Sequence, residues 1–590
     1  MKLKPRNQKK LLQAALGTIP SDLVIKNARV VNVFTGEILP GNVFLYDGFI
    51  SHVEYGNLDD LNAEKVYDAN GQFIIPGLID AHVHIESSML TPRHFAEAVV
   101  PWGTTTVITD PHEIGNVWGI DGVKYMHDSA SDVPMRQLID IPSCVPAVPT
   151  IEVAGADFLA EQIRELVKLD RVIGLAEVMD FLAVIYGEDR MMEILKVAED
   201  NGLYIQGHAP FLSGRMLSAY LCGGPNTCHE SRRGDEAVEK MRQGMFVDMR
   251  ESSISKNVTE IWNGVKNFKF FDTLCICTDD RESHEILEKG HINDVLKIAM
   301  EHGMDPILAI KSATINTARE IKLEHLGAVA PGYAADLVIL PSITEMKPSA
   351  VFFEGKLVAE NGVLLSPIEP RVFPIEEKNS MHVAVDLSPE SFRIKAPVSD
   401  GRVKTNVMVF ADYTLSSTDA VCEELPVKDG YLDISHDPDL KYVAVINRYG
   451  HKRMALHVVR HFGTDHGALA STVSHDSHNL TCVYDTPENA YLAVSELIQA
   501  GGGMCAVEDG KVLHTLRLNV GGLISSKPAA ELAKDAAQMK EANRRLGLVQ
   551  MPNPLLRIVT LALPVIPNAK MSDIGLVDVN TKEMIPLFAE

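Results

Sequence analysis

The chain has 590 residues, room for roughly two to four domains and a large buried core. Hydrophobic residues make up 46% and charged residues 23%, an ordinary globular balance that excludes a wholly disordered or collagen-like chain. With Lys+Arg at 55 and Asp+Glu at 79 the net charge is −24, which argues against nucleic acid or an anionic membrane as the main partner.

The first 20 residues are basic, and their apolar stretch is too short and polar for a signal sequence, so we expect a short amphipathic helix at 1–20. No run approaches a membrane span. From 21 to 75 alternating segments around Asp47-Gly48 predict a small β-sheet. Between 76 and 324 the pattern changes to short apolar runs with polar tips: FIIPGLIDAHVHIE, TTTVITDPHE, LIDIPSCVPAV, RVIGLAEVMD, LYIQGHAP, NTCHES, MFVDMRES and LCICTDDRES. Helical stretches separate several of them. Eight such units predict an α/β architecture, a (β/α)₈ TIM-type barrel whose active site lies where the tips converge. Residues 325–372 return to strand character and are expected to join 21–75 in a discontinuous, sandwich-like β domain. The segment 373–590 mixes alternating strands with amphipathic helices and reads as a C-terminal α+β domain. The eight cysteines include no C-x-x-C pair, and free thiols in a reducing cytoplasm are the expectation.

The sharpest chemical signal is His82-Val83-His84, directly after an apolar run. Side chains at i and i+2 of a strand share a side, so both imidazoles can meet one metal ion. An isolated H-x-H could equally be two surface histidines. Here Glu177, His208, His229 and Asp279 follow at successive strand ends, an ordered series that core or surface accident does not readily give. His112-Glu113 is half of an H-E-x-x-H motif with Asn116 where the second His belongs, so a metalloprotease is unsupported; loop capping and function are both open readings for it. The absence of P-C-x-x-C excludes a cytidine-deaminase-like zinc site. Ser474-His475-Asp476-Ser477-His478-Asn479 is either a polar turn or a loop reaching the barrel mouth.

The set as a whole resembles the amidohydrolase superfamily, and within it the adenine deaminase family. The resemblance is carried by PGLIDAHVHIESSMLTPRHFAEAVVPWGTTTVITDPHEIGNVWG, LAEVMD, QGHAP, CHES, CTDDR and SHDSHN. Many superfamily members bridge two metals with a carboxylated lysine; here Glu177 stands in that place, as in the adenine deaminase branch. The resemblance implies a binuclear divalent metal centre, Mn²⁺ or Fe²⁺ with Zn²⁺ also tolerated. His82, His84, Glu177 and Asp279 would hold the more buried ion, and Glu177, His208 and His229 the other. It implies hydrolysis of adenine to hypoxanthine and ammonia, in purine salvage, by water whose pKa the metals lower. Asp279 would accept the water proton and pass it towards the leaving ammonia. Glu113 or Glu86 would protonate a ring nitrogen, and Asp280, Ser87 and His112 would contact the substrate. The implied partners are a purine base and water, with no nucleic acid or membrane, in a cytoplasmic homodimer or higher homo-oligomer. Two other functions remain open on the sequence: a cyclic-amide hydrolase of hydantoinase or dihydroorotase type, and a catalytically silent metal-binding scaffold.

Overall fold

The computed structural model describes residues 3–56, 59–413, 416–566 and 568–589. Eight parallel strands form the barrel: β1 (Leu78–Val83), β2 (Thr104–Thr109), β3 (Arg136–Ile141), β4 (Val172–Val178), β5 (Tyr204–Gly207), β6 (Thr227–Cys228), β7 (Phe246–Arg250) and β8 (Leu274–Cys277). They are short apolar runs buried on both faces, as strands covered by helices must be. β1 to β5 pair in sequence, as do β6 to β8. The arcs meet where the Asn226 N–H reaches Ile205 O at 3.3 Å. On the other side the Asp279 N–H donates to His82 O at 2.9 Å and the His84 N–H to Asp279 O at 3.4 Å. This closure seats the three side chains His82, His84 and Asp279 next to one another.

Helices lie between the strands as expected, among them Pro92–Val99, Ala160–Leu166 and Asp189–Asp200. The first starts where Thr91 caps it and Pro92 supplies a preset φ at its first position. The N-terminal helix spans Gln8–Ala15. Five strands from Leu23 to Pro76 share one nine-stranded sheet with four strands from Leu337 to Leu364. The junction is the antiparallel pair of Phe73–Pro76 with Leu337–Leu340. Gly77 turns the chain from that sheet into β1; a Cβ there would fall onto the Thr105 hydroxyl.

A second nine-stranded sheet runs from Gly401–Phe410 to Lys511–Arg517, with the helix Pro487–Ala500 packed on it through Ala490, Ala493, Val494 and Leu497. This C-terminal region lies against the barrel. Asn479 Nδ2 donates to Val153 O at 2.8 Å, the Ser525 N–H to Met89 O at 2.8 Å, and Asn553 Nδ2 to Glu282 Oε2 at 2.6 Å. Among the described residues no helix is long and apolar enough to cross a membrane.

Candidate active site

The strand ends deliver His82, His84, Glu177, His208, His229 and Asp279 to one buried point. Glu177 straddles two pairs of histidines. Its Oε1 is 3.5 Å from His84 Nε2 and 3.9 Å from His82 Nε2. Its Oε2 is 2.6 Å from His208 Nδ1 and 3.3 Å from His229 Nε2. Asp279 Oδ1 lies 3.2 Å from His84 Nε2 and 3.5 Å from His82 Nε2. Asp279 itself has φ +57°, a backbone conformation that a non-glycine residue adopts at a cost and that clusters at functional sites.

Hydrogen bonds behind the first histidines fix their tautomers. Gln206 Nε2 donates to Ala81 O at 3.0 Å, which leaves its Oε1 to accept from the His82 Nδ1–H at 2.8 Å. The His84 Nδ1–H donates to Asp110 O at 3.0 Å. Both Nε2 atoms therefore present lone pairs, and they stand 3.0 Å apart. Two lone pairs aimed at one point with carboxylate oxygens beside them repel unless a cation sits between. This nitrogen and oxygen donor set fits a first-row divalent metal.

Electrostatics around this point are strong. Burial pushes the Glu177 carboxyl up, but the charges of His208 and His229 outweigh it and hold it well below the usual range. Burial acts likewise on Asp279, and Arg250 and the neighbouring histidines hold it ionised. Arg250 Nη1 binds Asp279 Oδ2 in a short ion pair and also reaches Glu230 Oε1 at 2.5 Å.

A cavity of about 160 Å³ opens beside these residues. His112, Glu113 and Asp280 line it, and so do Phe211, Leu563 and Ile566, which supply apolar walls. His112 is held by Asp110, whose Oδ2 is 3.1 Å from its Nδ1. Glu113 is gripped by the C-terminal region: His475 Nδ1 lies 2.5 Å from its Oε1, and His478 Nε2 makes a short hydrogen bond to its Oε2. Burial raises the Glu113 carboxyl, but these two histidines outweigh it and hold it well below the usual range.

Two of the residues implied for catalysis or substrate contact do not reach the cavity wall. Glu86 is buried and turned away; its Oε1 accepts from the Ile114 N–H at 3.2 Å. Burial and then the charge of Glu113 push it up to about 7. Ser87 donates to Asp280 Oδ1 at 2.6 Å and so bears on the cavity through Asp280. Several residues of the site escaped sequence reasoning: Asp110, Gln206, Glu230 and Arg250. Gln206 precedes His208 by two residues and Arg250 ends the β7 run, so strand-end position was the available signal.

The amidohydrolase family matches residues 73–358, and the adenine deaminase C-terminal domain matches residues 416–583. The chain is 38% identical over 583 residues to adenine deaminase 2 of Carboxydothermus hydrogenoformans, covering 98% of this chain and 99% of that one. It is 39% identical to the adenine deaminase of Methanothrix thermoacetophila, with coverage of 98% and 99%. It is 37% identical to that of Moorella thermoacetica, with coverage of 98% of both chains.

Proposed function

The chain belongs to the adenine deaminase family of the metal-dependent amidohydrolases, and from that premise we propose how its barrel mouth converts adenine and water to hypoxanthine and ammonia. The observation that carries the reading is Glu177, one carboxylate shared between two histidine pairs. His82, His84, Glu177 and Asp279 would hold one divalent ion and Glu177, His208 and His229 a second, Mn²⁺ or Fe²⁺ with Zn²⁺ tolerated by the same donors. When bound, the ions supply Lewis acidity that brings the pKa of water towards neutrality.

The protein's own groups do the rest. Asp279, with Arg250 fixing its second oxygen, takes the proton that water sheds and hands it to the departing amino group. Glu113, on the cavity wall, serves the ring nitrogen, whereas Glu86 is turned to a backbone amide. Because Glu113 is ionised, the proton it relays lies on His475, 2.5 Å away; the ring nitrogen gains it, and the second proton of the water, released as the product carbonyl forms, replaces it on His475 by way of solvent, so no net proton is consumed. Asp280 and His112 face the purine edge, and Ser87 orients Asp280. The cavity sets the polar groups of His112, Glu113 and Asp280 beside the apolar walls of Phe211, Leu563 and Ile566, a lining that suits a flat purine ring. All eight cysteines are unpaired, which supports a reducing, cytoplasmic setting. We propose a homodimer or higher homo-oligomer as the active unit, since closed symmetric assemblies are the common form of such enzymes.

The test is ammonia release from adenine by purified protein loaded in turn with Mn²⁺, Fe²⁺ and Zn²⁺, with His82→Ala as control. Metal-dependent release that the control lacks is the expected result. Ring opening of a hydantoin in its place, or no turnover by folded, metal-loaded protein, would overturn the reading.

A further inference from the structure

The motif Ser474 to Asn479 lies more than 300 residues after Glu113 in sequence, yet it is buried against the barrel mouth. His478 is 1% exposed and His475 6% exposed. Between them they occupy both oxygens of Glu113. Glu113, His475 and His478 also bring three donor atoms close enough for a metal ion. The hydrogen-bond pattern decides between a metal and a clamp. The Ser474 backbone N–H points at His478 Nδ1, 3.2 Å away, so Nδ1 carries the lone pair and the ring proton sits on Nε2. A protonated Nε2 donates to Glu113; it has no lone pair for a metal. The loop holds that geometry with His478 at φ +52°, strained backbone that the surroundings must enforce.

The enforcement is visible. Arg448, fully buried, donates from Nε to the His478 carbonyl, 2.5 Å away, and from Nη1 to Gly521 O at 2.9 Å. Ser474 and Thr481 hydroxyls meet at 2.8 Å, and Asn479 ties the loop to Val153 of the barrel. On the barrel only His112 nears the Glu113 carboxylate, with Nε2 3.6 Å from Oε1; the close partners among the described residues are His475 and His478. A carboxylate has about four acceptor positions, so two remain for a ligand in the cavity.

We propose that His478 is a positioning residue which aims Glu113 at the substrate, so that the C-terminal loop 474–479 completes the catalytic centre of the barrel. This rests on the deaminase reading above and extends it, because it makes a second domain a participant in the chemistry.

The test is a double-mutant cycle on the full-length, metal-loaded enzyme with adenine as substrate. In His478→Asn the short amide can still accept from the Ser474 N–H but cannot reach Glu113. In His478→Gln an N–H donor stands again near the Nε2 position. Misaiming the carboxylate in His478→Asn should lower kcat on the order of 10²-fold. KM should change by less than about threefold if the interaction is one that matters chiefly in the transition state. His478→Gln should recover most of the rate. In a Glu113→Gln background the Asn substitution should cost nothing further, since the group it positions is already lost. Equal additional loss in that background, or full kcat in His478→Asn, would overturn the positioning role. His478→Phe, which keeps the ring shape, runs the same cycle should the Asn variant melt early. Wild-type turnover separates the two levels: no ammonia from the wild type refutes the reaction, whereas wild-type turnover with additive variants refutes only the aim of Glu113.

Discussion

Gln206 offers the most direct check on the metal site, because it does not line the cavity and reaches the site through the far nitrogen of His82. It is fully buried, and its two bonds lock the His82 Nδ1–H at 2.8 Å and the Ala81 carbonyl at 3.0 Å. Gln206→Leu keeps most of the volume and removes both. His82 is then free to place its proton on Nε2, where a metal needs a lone pair. Loss of such a supporting bond costs about 10- to 100-fold in metal affinity, or about 1.4–2.8 kcal/mol. The unpaired Ala81 carbonyl costs a further ~1–3 kcal/mol of folding stability. Metal-free protein titrated with Mn²⁺ against a chelating dye gives the first quantity, and urea denaturation of the metal-free form gives the second. Gln206→Glu, which keeps an acceptor for Nδ1–H, should retain the affinity. Unchanged Mn²⁺ affinity in a folded Leu variant would refute the tautomer argument and, with it, the lone-pair confrontation of His82 and His84.

Substituting Asp279→Ala should abolish ammonia release from adenine; normal turnover in a metal-loaded variant would remove Asp279 from the reaction. Arg250→Met leaves the buried carboxylates of Asp279 and Glu230 without their shared cation, and should cost about 3–5 kcal/mol in urea denaturation. Lys570 provides a pH test on a residue outside the candidate ligand set. Burial, then the charge of Arg557, pushes its ammonium down to about 7, against about 10.4 in the unfolded chain. Between those values the unfolded chain binds a proton the folded one lacks, so this group makes stability rise with pH across the window and leaves it constant above. The slope is up to about 1.4 kcal/mol per pH unit. Lys570→Met should flatten that part of the stability curve between pH 7 and 9; identical slopes in both proteins would refute it.

The convergence of the six strand-end side chains was legible because it obeys local rules. His82 and His84 follow from period-two geometry, and Glu177, His208, His229 and Asp279 from a repeated strand-end pattern. Barrel strands could be read as short apolar runs for the same reason, even β6, whose two paired residues are hardly a strand. The choice between Glu113 and Glu86 was not local. It turns on which carboxylate meets His475 and His478, some 365 residues away in the case of His478, and no spacing rule spans that distance. Arg250 was hidden for another reason: an arginine at a strand end reads as a solvated terminus until the fold brings Asp279 and Glu230 to either side of it. The single sheet shared by residues 23–76 and 337–364 follows from strand character only in outline. Its order, with Phe73–Pro76 beside Leu337–Leu340, depends on where the closed barrel brings its last helix.

That shared sheet gives protein synthesis a schedule. The ribosome releases the first five strands early, but Phe73–Pro76 must wait for a neighbour made about 260 residues later. At roughly 5–20 residues per second the gap is on the order of ten seconds to a minute. Throughout it an apolar strand edge stands open while the barrel grows beyond it, a ready target for pairing with another nascent chain. Closure of the sheet therefore reports that the barrel behind it has been made in full, and a chain stalled before residue 337 keeps that edge exposed for chaperones or aggregation to find.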